Sequence, residues 1–179
     1  MRAKKQGLHK ILFSSKSGLI VHSSAMYDND AVYVFGGVSG SGKSTIARKL
    51  NGIMTPINDE KNVLEFKNDG ISVYTHFLKG EDDHKECLVA ENLSGNLKAF
   101  FFLNKESGTE SRIEPLSDKG YIWKMLLKCA APPSVGEDHF FPAYLEMVDR
   151  LMDSVPFYNF YYNISDSSED LAELLRKTC

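Results

Sequence analysis

The sequence contains few cysteines, no long apolar run and no excess of basic residues. Its three cysteines, Cys87, Cys129 and Cys179, are an odd number and match no zinc-binding spacing, which predicts free thiols in a reducing cytoplasm. No apolar stretch approaches the roughly 20 residues that a membrane span needs. Lysine and arginine number 21 against 24 aspartates and glutamates, giving a net charge of −3. We therefore expect a cytoplasmic protein with neither a membrane nor a nucleic acid as partner, since nucleic-acid binding usually needs a basic face.

Low-complexity tracts and internal repeats are also missing. A content of 42% hydrophobic and 25% charged residues is typical of a globular protein. A chain of 179 residues can bury one substantial core but is short for two domains. We expect a single domain over residues 1–179.

The most informative segment runs from Phe35 to Thr45. Its Gly37, Gly42, Lys43 and Ser44 fit the pattern G-x-x-x-x-G-K-[ST] of a P-loop, or Walker A motif. Glycines let backbone amides surround a triphosphate where a side chain would leave no room. We expect Lys43 to reach the β and γ phosphates and Ser44 to bind Mg²⁺. The predicted ATP contacts are Gly37, Ser39, Gly40, Ser41, Gly42, Lys43, Ser44 and Thr45.

The segments on either side of this motif agree with it. Ala31–Phe35 is β-branched and aromatic, as a buried strand should be, and Ile46 and Leu50 lie one helical turn apart. The order strand, loop and helix is the order that a P-loop requires. The alternative, a glycine-rich turn without a ligand, leaves this agreement unexplained.

The segment before the motif is predicted to consist of strands. Leu8–Phe13 and Gly18–His22 are short apolar runs, and Ser24–Tyr27 with Ala31–Phe35 flanks a hairpin loop. After the motif helix, a second hairpin is expected with Asp69–Gly70 as its turn. The remaining predictions are a charged loop at Lys79–Glu91, a strand at Lys98–Leu103, an edge strand at Arg112–Leu116, a helix capped by Ser117 and running to Cys129, a helix from Tyr144 to Met152, a core strand at Val155–Tyr162 and a helix at Ser168–Lys177.

An acidic pair follows the motif closely. Asp59 lies 15 residues after Ser44 and is followed by Glu60. With His22, which lies 15 residues before Gly37, this pair makes the sequence similar to the HPr kinase and phosphoenolpyruvate carboxykinase superfamily, in particular to the short HPr-kinase-like serine kinases. Stretches that also resemble the short-kinase pattern are Leu97–Leu103, Arg112–Ser117 and Val155–Tyr162, so the likeness extends over nearly the whole chain.

The resemblance implies an α/β P-loop kinase fold, with a mixed sheet, antiparallel hairpins flanking the P-loop strand and helices packed on it. It implies a kinase that uses ATP and Mg²⁺ to phosphorylate a hydroxyl, most readily a serine of a peptide or protein, and homo-oligomers are known among such relatives. Asp59 is expected as the base and Glu60, with Ser44, as the metal ligand; the residues alone would also permit the reverse. His22 is expected near the transferred phosphate.

The chain departs from the HPr kinases proper in three places. It has Asp-Glu where they have two aspartates, and it lacks both their Glu-x-Arg-Gly signature and their basic C-terminal segment. These departures leave open both whether HPr is the acceptor and whether a phosphatase activity exists. Two other functions stay open, a small-metabolite kinase and a nucleotide-dependent interaction module. Lys105 and Arg112 are further candidates for stabilising charge in the transition state or for binding an acidic substrate; the alternative is that both are solvated loop charges.

Overall fold

The computed structural model describes residues 2–75, 93–105 and 110–179, and the side chains of all of these except residues 2–6 and 75. These ranges contain five α-helices and eight strands. The helices are α1 (Arg2–Ser15), α2 (Lys43–Leu50), α3 (Lys119–Cys129), α4 (Phe141–Ser154) and α5 (Ser168–Thr178). The strands are β1 (Gly18–Asp28), β2 (Ala31–Gly36), β3 (Thr55–Asn58), β4 (Lys61–Lys67), β5 (Gly70–Thr75), β6 (Ser94–Lys105), β7 (Arg112–Leu116) and β8 (Phe157–Tyr162).

All eight strands belong to one mixed sheet that curls onto itself. The pairings β2–β1, β1–β4, β4–β5 and β5–β6 are antiparallel, and β6 then pairs with β2 in parallel, which closes a ring. Strand β3 pairs with β1, while β8 and β7 extend the sheet outward from β6. The predicted α/β fold with a mixed sheet is therefore confirmed. The first hairpin contains β2 itself, whereas the second joins the ring between β1 and β6 and does not pair with β2.

The two predicted hairpins are present, with small corrections. β1 is one strand from Gly18 to Asp28 and not two short ones, and it turns into β2 through Asn29 and Asp30, whose φ angles of 49° and 66° suit a tight hairpin turn. In the second hairpin Lys67 pairs with Gly70, so the turn lies one residue earlier than predicted. The charged loop predicted at Lys79–Glu91 and the end of the second hairpin at Phe77 lie outside the described residues.

The first predicted strand, Leu8–Phe13, is wrong because this segment belongs to helix α1. Leu12 and Phe13 are buried, whereas Ile11 between Lys10 and Leu12 is 65% exposed. Leu8 with Leu12 and His9 with Phe13 have the four-residue spacing of one helical face. A short apolar run does not distinguish a helix from a strand by itself, and here the four-residue spacing of the buried side chains is that of a helix.

The sheet buries side chains on both faces. Along β6, Phe100 and Phe102 contact the core formed with α3 and α4, and Phe101 and Leu103 contact the core formed with α2 and α5. This explains why β6 is apolar without interruption from Ala99 to Leu103 rather than alternating. Phe157, Phe160 and Tyr162 of β8 are buried, so the prediction that this aromatic run packs in the core is confirmed.

The helices of the C-terminal half lie close to their predicted positions. Asp118, not Ser117, caps α3, since its side chain accepts a hydrogen bond from the Tyr121 amide. Ser167 caps α5 in the same way through the Asp170 amide. β7 pairs with β8 alone and is an edge strand, as its proline predicts. Within the described ranges, every helix is too short or too polar to cross a bilayer.

Candidate active site

The glycine-rich loop, residues 37–42, connects the end of β2 to the start of α2. Gly40 and Gly42 have φ angles of 80° and 102°, a region that other residues rarely adopt. A Cβ added to Gly42 would lie 1.7 Å from the Tyr162 hydroxyl oxygen and 2.8 Å from Lys105 Cε. The ends of β8 and β6 therefore pack against the loop, and only glycine fits at residue 42.

Lys43, the first residue of α2, is 6% exposed. Its Nζ donates hydrogen bonds to the carbonyl oxygens of Gly37 (3.0 Å) and Val38 (3.1 Å), so the loop folds back around the ammonium group. Burial lowers the pKa of Lys43, and the nearby Cys129 thiol opposes this shift. The Gly37 amide donates to Cys129 Sγ at 3.2 Å, which ties the loop to the end of α3. The predicted free-thiol state holds for Cys129 and Cys179, and Cys87 lies outside the described residues.

The N-terminus of α2 has no side-chain cap. Its first helical hydrogen bond runs from the Ile46 amide to the Gly42 carbonyl at 2.9 Å, which leaves the amides of residues 43–45 without helical acceptors. The Ser41 hydroxyl beside them is buried and has no hydrogen-bond partner among the described residues. Uncapped amides carry the positive end of the helix dipole, so this end of α2 favours an anion.

The acidic turn, Asp59 and Glu60, connects β3 to β4. Asp59 is 7% exposed. The turn is held by Asn58, whose Oδ1 accepts hydrogen bonds from the amides of Glu60 (2.8 Å) and Lys61 (3.2 Å). Glu60 is half-buried, and its Oε1 lies 3.6 Å from Lys61 Nζ.

Two buried polar residues support this turn from beneath. Asn62 Nδ2 donates to the carbonyl oxygen of Ser23 at 2.8 Å, to its hydroxyl at 3.0 Å and to the Asn58 carbonyl at 3.4 Å. Sequence reasoning missed Ser23, Asn58 and Asn62. Asn58 had a local signal, because asparagine before an acidic pair is typical of a side-chain-stabilised turn; the other two had none.

The glycine-rich loop and the acidic turn lie on opposite edges of β1. Ser23 pairs with Gly36 on one edge, and its amide donates to the Glu60 carbonyl at 3.1 Å on the other. Two strand spacings separate the backbones of Gly36 and Glu60, about 10 Å in all. The loop and the acidic turn are therefore close enough for long side chains to approach each other across β1.

His22 lies on β1 next to Ser23, opposite Lys61, and is exposed. Its pKa is lowered, first by partial burial and then by the positive charges of Lys43 and Lys61, while the Glu60 carboxylate raises it. His22 therefore feels charges from both the loop and the acidic turn. The charges of Lys43 and Glu60 thus both act on His22. The buried Asp59 precedes Glu60 in the acidic turn.

Other predicted residues have different surroundings. Ser39 and Gly40 lie exposed at the loop tip, and Ser44 and Thr45 are half-buried in the first turn of α2. A hydrogen bond joins Thr45 to the Tyr162 hydroxyl. Arg112 pairs with Glu114 at 2.9 Å and stacks on Tyr161 along the edge strand β7.

The residues of the loop fit a phosphate group. They supply uncapped amides, a buried ammonium and a glycine, Gly40, whose added Cβ would meet nothing within 4 Å. The Ser44 hydroxyl and the Glu60 carboxylate offer the hard oxygen ligands that Mg²⁺ prefers. The loop can therefore neutralise part of the charge of a phosphate group.

No protein-family model matches the chain, and no curated protein matches it in sequence. Among solved structures, the chain is similar to the HPr(Ser) kinase/phosphatase from Coxiella burnetii, with a TM-score of 0.50 and 11% sequence identity over 89% of each chain. At that identity the similarity shows a shared fold. The fold relationship that the resemblance implied is thus confirmed.

Proposed function

We propose that the protein is an ATP-dependent kinase that transfers the γ-phosphoryl group to a hydroxyl, in the first place a serine of a peptide or protein. One observation carries most weight: the buried Lys43 ammonium lies inside the glycine-rich loop, at an uncapped helix N-terminus, with a buried acidic turn across β1. Phosphoryl transfer needs mainly positioning and neutralisation of charge, which such an arrangement supplies.

In this proposal the glycine-rich loop binds the phosphates. The amides at the start of α2 and the Lys43 ammonium donate to phosphate oxygens, and Lys43 exchanges its two carbonyl partners for them. Burial disfavours the charged form of Lys43 and so lowers its pKa. A bound anion would stabilise that charged form and offset the cost of burial. Ser44 and Glu60 would hold Mg²⁺, which when bound neutralises the developing phosphate charge.

Asp59 is the proposed base. Its carboxylate would accept the proton of the acceptor hydroxyl while the turn geometry set by Asn58 holds it in place. His22 is the proposed neighbour of the transferred group. Because its pKa is lowered, its imidazole is neutral at neutral pH and adds no further positive charge beside Lys43.

The test compares the wild type with Asp59→Asn, using γ-labelled ATP and a library of serine-containing peptides. Asp59→Asn should keep ATP affinity by calorimetry and lose at least about a hundredfold in transfer, as expected for removal of a general base. Asp69→Asn is a matched control, since Asp69 is exposed in the β4–β5 turn. If Asp59→Asn transfers the phosphoryl group as fast as the wild type, Asp59 is not the base.

The same assay separates the other functions. A small-metabolite kinase would label acid-soluble compounds from a cell extract and leave the peptides unlabelled. An interaction module would bind ATP without turning it over. If the wild type fails to bind ATP at all, the proposed function is wrong in every form.

A further inference from the structure

Lys105, the last residue of β6, lies against the glycine-rich loop. Its Cε is 2.8 Å from the position that a Cβ at Gly42 would occupy, and its ammonium is one bond beyond. β6 runs parallel to β2, with Gly36 paired to Phe102, so its last three residues extend alongside the loop. On the other edge, Lys105 pairs with Tyr162, whose hydroxyl donates to the Gly42 carbonyl at 3.4 Å. Two adjacent strand ends thus fix the position of the lysine stem.

Among the described residues, no carboxylate lies within ion-pair distance of the Lys105 ammonium. Over residues 2–75, 93–105 and 110–179, neither Lys105 nor Lys43 forms an ion pair with a carboxylate. Both lysines and the uncapped N-terminus of α2 therefore place positive charge around Gly42. Like charges around one position repel each other. An anion bound at Gly42 would offset this repulsion.

We propose that Lys105 is a second cationic contact of the nucleotide's phosphate chain, in addition to Lys43. This inference rests on the proposed function and adds to it a binding residue that lies 62 positions after the lysine of the motif. Lys43 approaches the phosphates from within the loop, and Lys105 approaches from the neighbouring strand end. The competing explanation is that the lysine stem only covers the Gly42 backbone while its ammonium remains in water.

The experiment separates charge from packing. Lys105→Met keeps an unbranched stem of similar length and removes the charge, and Lys105→Arg keeps the charge. Lys98→Met is the matched control, because Lys98 is exposed on the same strand seven residues earlier, roughly 23 Å away at the usual strand rise. Thermal unfolding of each variant checks that the fold is retained. Binding of ATP and of inorganic tripolyphosphate is then measured by calorimetry.

Lys105→Met should weaken ATP and tripolyphosphate alike by about tenfold, the lower range for loss of a charged hydrogen bond, because Lys105 is exposed. Lys105→Arg should recover most of the affinity, and Lys98→Met should match the wild type. Wild-type affinity in Lys105→Met, or a loss for ATP without one for tripolyphosphate, would overturn the contact with phosphate and leave the kinase proposal standing. A wild type that binds neither ligand would overturn both.

Discussion

Substitution of Gly42 by alanine should destabilise the fold as well as abolish nucleotide binding. Two costs add at this position. A φ of 102° is a left-handed conformation that costs an alanine about 1–2 kcal/mol. The new methyl group would also lie 1.7 Å from Tyr162 Oη and 2.8 Å from Lys105 Cε, an overlap that costs about 1–3 kcal/mol to relieve. We expect a total near 3 kcal/mol, or a Tm lower by roughly 6–12 °C for a domain of this size.

Gly52→Ala measures the conformational cost alone. Gly52 has a φ of 99°, nearly the value at Gly42, and an added Cβ there would meet nothing within 4 Å. Its substitution should therefore cost about 1 kcal/mol. The difference of about 2 kcal/mol between the two variants is the steric cost assigned to the packed strand ends. Urea unfolding followed through the single tryptophan, Trp123, and by circular dichroism gives both values.

A third variant attributes the steric cost to a particular atom. Tyr162→Phe removes the hydroxyl oxygen that lies nearest the new methyl group and leaves the ring carbon at 2.9 Å. In that background Gly42→Ala should cost at least 1 kcal/mol less than in the wild type, as expected for residues in direct contact. Equal costs for Gly42→Ala and Gly52→Ala, or a cost at Gly42 that Tyr162→Phe leaves unchanged, would refute the packing of β8 against the loop.

Three further outcomes are expected. Burial lowers the pKa of Lys43 below 10.5, and a bound phosphate would raise it again, so ATP binding just below that pH should take up protons. Calorimetry in buffers of different ionisation enthalpy measures this uptake. Its absence would contradict the contact between Lys43 and phosphate. Lys43→Met should raise the pKa of His22, and Glu60→Gln should lower it further, as followed by NMR titration. If neither substitution changes the pKa of His22, Lys43 and Glu60 do not lie close to it. Since the folded His22 binds its proton more weakly than the unfolded one, its contribution to stability should rise with pH through the window below 6.5. Asn58→Ala should cost about 1–3 kcal/mol in urea unfolding and Asn58→Asp less, because two amides lose their acceptor only in the first; equal costs would exclude the turn's hydrogen bonds as the cause.

Local patterns predicted much of the fold. Strand β2, the glycine-rich loop and α2 follow from a motif whose residues are contiguous. The hairpins follow from turn residues such as Asn29 and Asp69, which act within four positions of themselves. The wrong strand prediction at Leu8–Phe13 has the same origin. A short apolar run contains no information about the sheet surface that α1 covers.

Non-local pairing could not be predicted in this way. β1 continues through Ser23, which lies between the two strands predicted at Gly18–His22 and Ser24–Tyr27. Serines are usually exposed, but Ser23 and Ser24 are not. They are buried because Asn62, 39 positions away, hydrogen-bonds to Ser23, and because Ser24 donates to the Asp59 carbonyl. Lys105 and Tyr162 reach Gly42 for a similar reason, since strand register brings them there and no motif marks them.

The register of β1 determines whether the candidate site exists. A slip by one residue against either neighbour would turn every side chain of β1 to the opposite face, so Ser23 would leave Asn62 and His22 would enter the core. The apolar residues Leu19, Val21 and Ala25 oppose such a slip, because they would leave the core cluster they share with α3 and α4. The buried Ser23–Asn62 contact opposes it again at the point where β1 passes between the glycine-rich loop and the acidic turn. The placement of the glycine-rich loop and the acidic turn on the two edges of β1 therefore depends on a polar contact outside both segments.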